Sequence, residues 1–134
     1  MITYISCAKT MATRSSVRVP FSSIPHFSEE ARQHAIELSR YSSQELGKLL
    51  RVNPKLAAAN YLRYQDFLSA ETEELPALLS YTGMVFKHIC AKDFTEEDFR
   101  YAQEHLFITS FLYGLLRPLD LIKNYRLEGD LSLI

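Results

Sequence analysis

The sequence has few cysteines and no long apolar run. Cys7 and Cys90 are the only two cysteines among 134 residues, and neither has a second Cys or His at metal-binding spacing. This spacing predicts neither a disulfide framework nor a zinc site, and we expect both thiols to be small buried groups. No stretch reaches the roughly 18 uninterrupted apolar residues of a membrane span, and the N-terminus lacks the features of a signal peptide. We therefore predict a cytoplasmic protein with no membrane partner.

Motifs for catalysis and cofactor binding are also missing. The sequence contains no phosphate-binding glycine loop, no nucleophile elbow and no HExxH pair. Its four histidines, at positions 26, 34, 88 and 105, are scattered without ligand spacing. We predict no catalytic residue, no metal and no cofactor. The length and the 47% hydrophobic content fit one packed domain over residues 1–134.

The charges that are present are unevenly distributed along the chain. Residues 1–63 hold nine Lys and Arg against four Glu, whereas residues 64–134 hold six against twelve acids. The net charge of -1 conceals this asymmetry. A basic first half permits a phosphate-binding face, although a solvated surface is the more common meaning of such an imbalance.

The order of helix and strand signals predicts an α+β fold. Residues 2–7 are β-branched and aromatic, as are residues 107–112, and both segments are typical of strands. Helix starts are predicted at Ser28, at Ser42–Ser43, at Asn53–Pro54 and at Thr95, each with a capping residue or a first-turn proline. Residues 15–27 should form a long connection, and residues 81–89 a strand or a buried turn. We expect early and late strands to share one mixed sheet that the central helices cover.

Two of these helices are joined by only three residues, 51–53, which makes them a helical hairpin. Cations cluster on and around this hairpin, and they could neutralise DNA phosphates without reading the sequence. The cations are Lys48, Arg51, Lys55 and Arg63. The alternative is a pair of amphipathic helices whose outer faces are simply solvated.

A second group of charges alternates near the end of the chain. Arg117 and Asp120 stand three residues apart, and Arg126 and Glu128 follow Tyr125 closely. These side chains could line an anion-binding cleft, or they could form structural ion pairs that hold a loop. An enzyme acting on a nucleotide or phosphorylated ligand is a further alternative, with Lys9 or Tyr125 as acid or base.

Three segments carry a resemblance to a known family. The stretches at residues 6–10, 112–121 and 125–128 are similar to the peroxide stress protein YaaA family, and supporting matches extend over nearly the whole chain. Some positions depart from the family pattern, among them Cys7 where proline is usual and Asn124 where proline is common. The chain also has roughly half the family's usual length.

The resemblance implies a cytosolic protein of the hydrogen peroxide response that limits damage from unincorporated iron. It also implies non-specific binding of duplex or junction DNA through a helix-hairpin-helix element, here residues 43–67, beside a positively charged cleft. As the N-terminal half of a larger single-domain fold, the chain would expose a sheet edge that favours self-association. The cleft would comprise Ser6, Lys9, Arg117, Asp120, Tyr125, Arg126 and Glu128.

Overall fold

The computed structural model describes residues 1–8, 11–12, 14–67, 69 and 73–125. The helices in this part of the chain are α1 (Ser28–Leu38), α2 (Ser43–Leu50), α3 (Pro54–Asp66), α4 (Ala77–Ser80), α5 (Met84–Ile89) and α6 (Glu96–His105), with a short 3-10 turn at Ala91–Asp93. The strands are β1 (Thr3–Ser6), β2 (Leu75–Pro76), β3 (Leu106–Ser110), β4 (Gly114–Leu116) and β5 (Leu121–Ile122). No helix in the described ranges is long and apolar enough to cross a membrane.

The prediction that an early and a late strand share a sheet is confirmed. Strand β1 pairs in parallel with β3, which pairs antiparallel with β4, so the three-stranded sheet is mixed. The parallel pairing begins at Thr3 opposite Leu106 and ends at Ser6 opposite Thr109. A separate antiparallel pair joins β2 to β5. These elements together make the fold α+β.

Three helix starts follow the predicted capping chemistry. Ser42 and Glu45 form a reciprocal capping box at α2, and Thr95 and Asp98 form another at α6. The Asn53 side chain accepts from the Leu56 amide at 2.9 Å, and Pro54 occupies the first turn of α3. Each cap satisfies a backbone N–H that a helix terminus otherwise leaves without a partner.

Two predictions about local structure are wrong. Residues 81–89 form neither a strand nor a buried turn: α5 begins at Met84, after Gly83 adopts a positive φ of 124°. Ser28 is the first residue of α1 and not its cap, because Phe27 occupies the cap position without a side-chain bond.

The expectation that both thiols are buried is also wrong for one of them. Cys90 is exposed, and its thiol donates to the Lys87 carbonyl at 3.2 Å. Cys7 is half-buried. Cys90 ends α5 in the left-handed conformation, with φ at 54°, and this chain reversal turns its side chain outward.

The main core lies between the helices α1–α3 and one face of the sheet. Fully or almost fully buried side chains from both layers meet there, and each large one contributes roughly 1.5–3 kcal/mol of transfer free energy. A smaller cluster packs α4 and α6 together around Phe99 and Leu119. The main core includes Ala31, Ala35, Leu38, Leu46, Leu50, Tyr64, Ile108 and Leu116.

Candidate nucleic-acid interface

The α2–α3 hairpin is held together by a close approach of its two helices. A Cβ atom added at Gly47 would lie 3.2 Å from the Cβ of Ala57, which is tighter than ordinary van der Waals contact. Leu46 and Leu50 anchor α2 in the main core, and Tyr64 does the same for α3. The hairpin is therefore rigidly attached to the fold, and a ligand on its outer surface would meet a preformed shape.

The turn between the two helices is made by Arg51 and its neighbours. Arg51 adopts the left-handed conformation, with φ at 55° and ψ at 47°, a backbone geometry that costs about 1 kcal/mol for a residue with a Cβ. The Val52 amide donates to the Gly47 carbonyl at 3.1 Å, which closes the end of α2. The turn thus reverses the chain without a glycine, and an exposed arginine lies at its tip.

Three of the four predicted DNA-binding cations flank this turn. Lys48 lies in the last turn of α2, Arg51 forms the tip and Lys55 lies in the first turn of α3, and all three residues are exposed. Between the helices is a shallow cavity of about 360 Å³ on the same side as the turn. Its lining is Ser43, Gln44, Gly47, Lys48, Val52, Pro54 and Ala57, so Lys48 is the only charged member among these residues.

The fourth cation has a different environment. Arg63 is half-buried, and its guanidinium donates to the Asn60 side-chain oxygen at 3.3 Å. Asn60 is fully buried and donates in turn to the Leu56 carbonyl at 2.9 Å. Arg63 is thus tied to the body of α3, about two and a half turns after Pro54.

Backbone amides contribute little to the charge of this surface. Pro54 has no N–H, and the Leu56 N–H already donates to Asn53. A helix N-terminus usually offers several free amides to a phosphate, but two of the first three positions of α3 are excluded here. The interface consequently depends on side-chain cations.

Glu45 lies one turn from Lys48, and hydrogen bonds from Ser42 lower the pKa of the Glu45 carboxyl, so it stays ionised.

The predicted anion-binding cleft separates into parts. Asp120 is fully buried and accepts from the Arg117 amide at 2.8 Å, from the Arg117 guanidinium at 3.0 Å and from the Ser23 hydroxyl at 2.5 Å. Arg117 also donates to the Ile24 carbonyl at 3.0 Å. These bonds fasten the turn before β5 to the long connection that precedes α1.

Tyr125 and Ser6 lie elsewhere. Tyr125 is buried, and its hydroxyl bonds to those of Tyr81 and Ser110. Ser6 is exposed at the end of β1. Among the described cleft residues, Arg117 and Asp120 are the pair that bond to each other. Lys9, Arg126 and Glu128 lie outside the described residues.

The family model described as peroxide stress protein YaaA matches residues 1–134, the whole chain. The chain belongs to the YaaA family.

Relatives from several bacteria support this membership. A UPF0246 protein of Phocaeicola vulgatus is 61% identical over 133 residues, which cover 99% of this chain and 52% of the relative. A UPF0246 protein of Bacteroides thetaiotaomicron is 58% identical over the same shares. One of Acaryochloris marina is 41% identical over 130 residues, or 96% of this chain and 51% of the relative. The chain spans about half the length of these relatives.

The sequence of this YaaA-family chain gave no indication of one hydroxyl cluster. Cys7, Tyr81, Ser110 and Tyr125 converge where the parallel strands β1 and β3 end. Burial raises the pKa of the Cys7 thiol, and hydrogen bonds with the Phe111 backbone and with Tyr125 only partly offset it. The thiol is therefore held protonated, the less nucleophilic state. Sequence separations of up to 118 positions hide such a cluster from motif reasoning.

Proposed function

We propose that this chain acts in the peroxide stress response by binding DNA without sequence preference through the tip of the α2–α3 hairpin. The observation that carries the proposal is the placement of Lys48, Arg51 and Lys55, three exposed cations within residues 48–55 of one rigid turn. Phosphate oxygens along a duplex backbone are the complementary partner for such a group, whether the DNA is a simple duplex or a junction.

The expected salt dependence of DNA affinity follows from counterion release. Three neutralised phosphates give a slope of about -2.7 in a plot of log affinity against log salt, so a fourfold rise in salt should weaken binding roughly 40-fold. Arg63 would raise the slope to about -3.6 if its guanidinium turned from Asn60 to a phosphate. Because Pro54 and the capped Leu56 leave few amides at the turn for a phosphate, removing the cations should remove most of the affinity.

The proposed benefit in the cell is protection of DNA from hydroxyl radical generated by unincorporated iron. Hydroxyl radical reacts where it forms, so a protein that displaces cations from the phosphates would also displace bound iron from DNA. In the described part of the chain, no three His, Cys, Asp or Glu side chains are grouped as metal ligands. We therefore base the proposed protection on coverage of the DNA and not on iron held by the chain.

The anion-binding cleft stays a prediction. Two of its cations, Lys9 and Arg126, lie outside the described residues. The third, Arg117, donates three hydrogen bonds: its guanidinium bonds to Asp120 and to the Ile24 carbonyl, and its backbone amide bonds to Asp120. The alternative of an enzyme acting on a nucleotide or phosphorylated ligand gains no support from this arrangement, because Asp120 and Tyr125 are buried in separate networks.

The test is fluorescence anisotropy with a labelled duplex and a four-way junction over a salt series. The variant Lys48→Gln/Arg51→Gln/Lys55→Gln should lose most of the affinity and most of the salt slope. A matched control, Arg18→Gln/Lys87→Gln/Lys92→Gln, removes the same charge from exposed positions elsewhere and should retain the salt slope. Absence of binding at low salt, or equal losses in both triple variants, would refute the proposal.

A further inference from the structure

The three-stranded sheet has one covered face and one open face. Ile5, Ile108 and Leu116 point into the main core. Alternation along each strand places the opposite set of side chains on the other face. That outer set is Tyr4 and Ser6 of β1, Phe107 and Thr109 of β3, and Leu115 of β4.

The outer face has no charged side chain, and its largest residue is well exposed. Tyr4 is 61% exposed although its ring stacks on Phe107 with centroids 5.5 Å apart. Ile2, immediately before the strand, is 58% exposed. Strands that face water normally carry charged or strongly polar residues on the solvent side, and parallel pairs such as β1 and β3 are normally covered on both faces.

The edge of β1 is equally unprotected. Among the described residues, β1 pairs with β3 alone, which leaves its other edge open. The Cys7 amide donates to the Thr109 carbonyl at 3.0 Å, so the Tyr4 and Ser6 amides, which alternate with it, point away from β3. Residues 2–7 contain no lysine and no proline, the residues that usually blunt a free edge.

We propose that this outer face and the free edge of β1 form the docking surface for the C-terminal half that the longer YaaA-family relatives carry. This chain matches 52% of the Phocaeicola vulgatus relative, so about half of that protein lies outside the matched region. The docking segment adds a strand against the Tyr4 and Ser6 amides and lays apolar side chains over Tyr4 and Phe107. An uncharged face and a bare edge suit such a permanent partner better than a transient one.

The test compares two proteins: this chain, and a chimaera in which residues 1–134 are followed by the unmatched part of the Phocaeicola vulgatus relative. Amide hydrogen exchange is followed residue by residue by NMR. Tyr4 and Ser6 should exchange at least about 100-fold more slowly in the chimaera, whereas Ile5, whose amide faces β3, serves as the internal reference. If the chimaera is insoluble, the two parts are co-expressed as separate chains and the complex is measured in the same way.

A substitution separates docking from general stabilisation. Tyr4→Lys should lower the melting temperature of the chimaera by several degrees and change that of the 134-residue chain little. Leu62→Lys, at a 60% exposed position of α3, is the matched control and should be neutral in both.

Three outcomes would overturn the proposal. The Tyr4 and Ser6 amides could exchange equally fast in both proteins. They could be protected in a dimer of the 134-residue chain, which would make a second copy the occupant. They could be protected in its monomer, which would show that this chain covers the edge itself. None of these outcomes bears on DNA binding, which is measured separately.

Discussion

Substitution of Asp120 by alanine tests whether the Arg117–Asp120 pair stabilises the fold. Asp120 is fully buried and accepts three hydrogen bonds, two of them from Arg117. Asp120→Ala would leave these three donors without their acceptor, and three partly buried hydrogen bonds to a carboxylate are together worth about 3–5 kcal/mol. For a chain of this length, 1 kcal/mol corresponds to about 3.5 °C, so the melting temperature should fall by roughly 10–17 °C.

Substitution of the partner, Arg117→Ala, should lower the free energy of unfolding by less. The Arg117 side chain is 40% exposed, so solvent already screens part of its interaction with Asp120. Arg117→Ala should cost about 1–3 kcal/mol, because the buried carboxylate keeps its bonds to Ser23 and to the backbone amide. The two substitutions share one interaction, so the double variant should be less destabilised than the sum by about 1–2 kcal/mol.

Urea unfolding of the wild type, both single variants and the double variant measures this cycle. If Asp120→Ala changes the free energy of unfolding by less than about 1 kcal/mol and the cycle shows no coupling, the assignment of this pair to structure is refuted. Arg117 would then be available for a phosphate, and the anion-binding cleft would regain support.

Further predictions concern the hairpin cap and the buried hydroxyl cluster. Asn53→Ala removes the acceptor of the Leu56 amide and should cost about 1 kcal/mol in urea unfolding, whereas Asn53→Asp should retain the cap. Tyr125→Phe removes the hydroxyl between Tyr81 and Ser110 and should cost about 1–2 kcal/mol; no change would show that this network does not stabilise the fold. Burial raises the pKa of Tyr125 above its unfolded value near 10, so stability is complete below about pH 10 and falls as the pH rises further. Chemical denaturation from pH 8 to pH 11 checks this, and Tyr125→Phe should make the alkaline loss smaller.

The sequence predicted those elements whose signal is local. Capping residues correctly predicted α2, α3 and α6, and β-branched segments correctly predicted β1 and β3. Capping and strand preferences act over three or four neighbouring residues, so the sequence alone reveals them. The sheet shared by β1 and β3 was predicted, whereas the parallel direction of their pairing was not.

Local signals failed where the backbone or the tertiary structure decides. The apolar run in residues 81–89 was too short to separate a strand from a buried turn, and the chain instead enters α5 after Gly83 with its positive φ. The cleft hypothesis combined the charges near the end of the chain with the family resemblance, and neither indicated that Tyr125 contacts Tyr81, which is 44 positions away. The charge of Arg117 was visible, but its buried partner network with Asp120 and Ser23 was not.

The exposed positions of the hairpin cations were easier to predict from sequence than the contacts of the cleft residues. Lys48, Arg51 and Lys55 are exposed around one turn because helix geometry and a three-residue connection leave few alternatives. The anchoring of Arg63 by the buried Asn60 could not be foreseen, since burial of an asparagine depends on how α3 packs against the rest of the fold.

The salt dependence of DNA affinity tests the central claim most directly. For the wild-type chain, the logarithm of the association constant should fall with the logarithm of salt concentration at a slope of about -2.7, and for Lys48→Gln/Arg51→Gln/Lys55→Gln the slope should approach zero. A wild-type slope near zero, or an unchanged slope in the triple variant, would contradict the account.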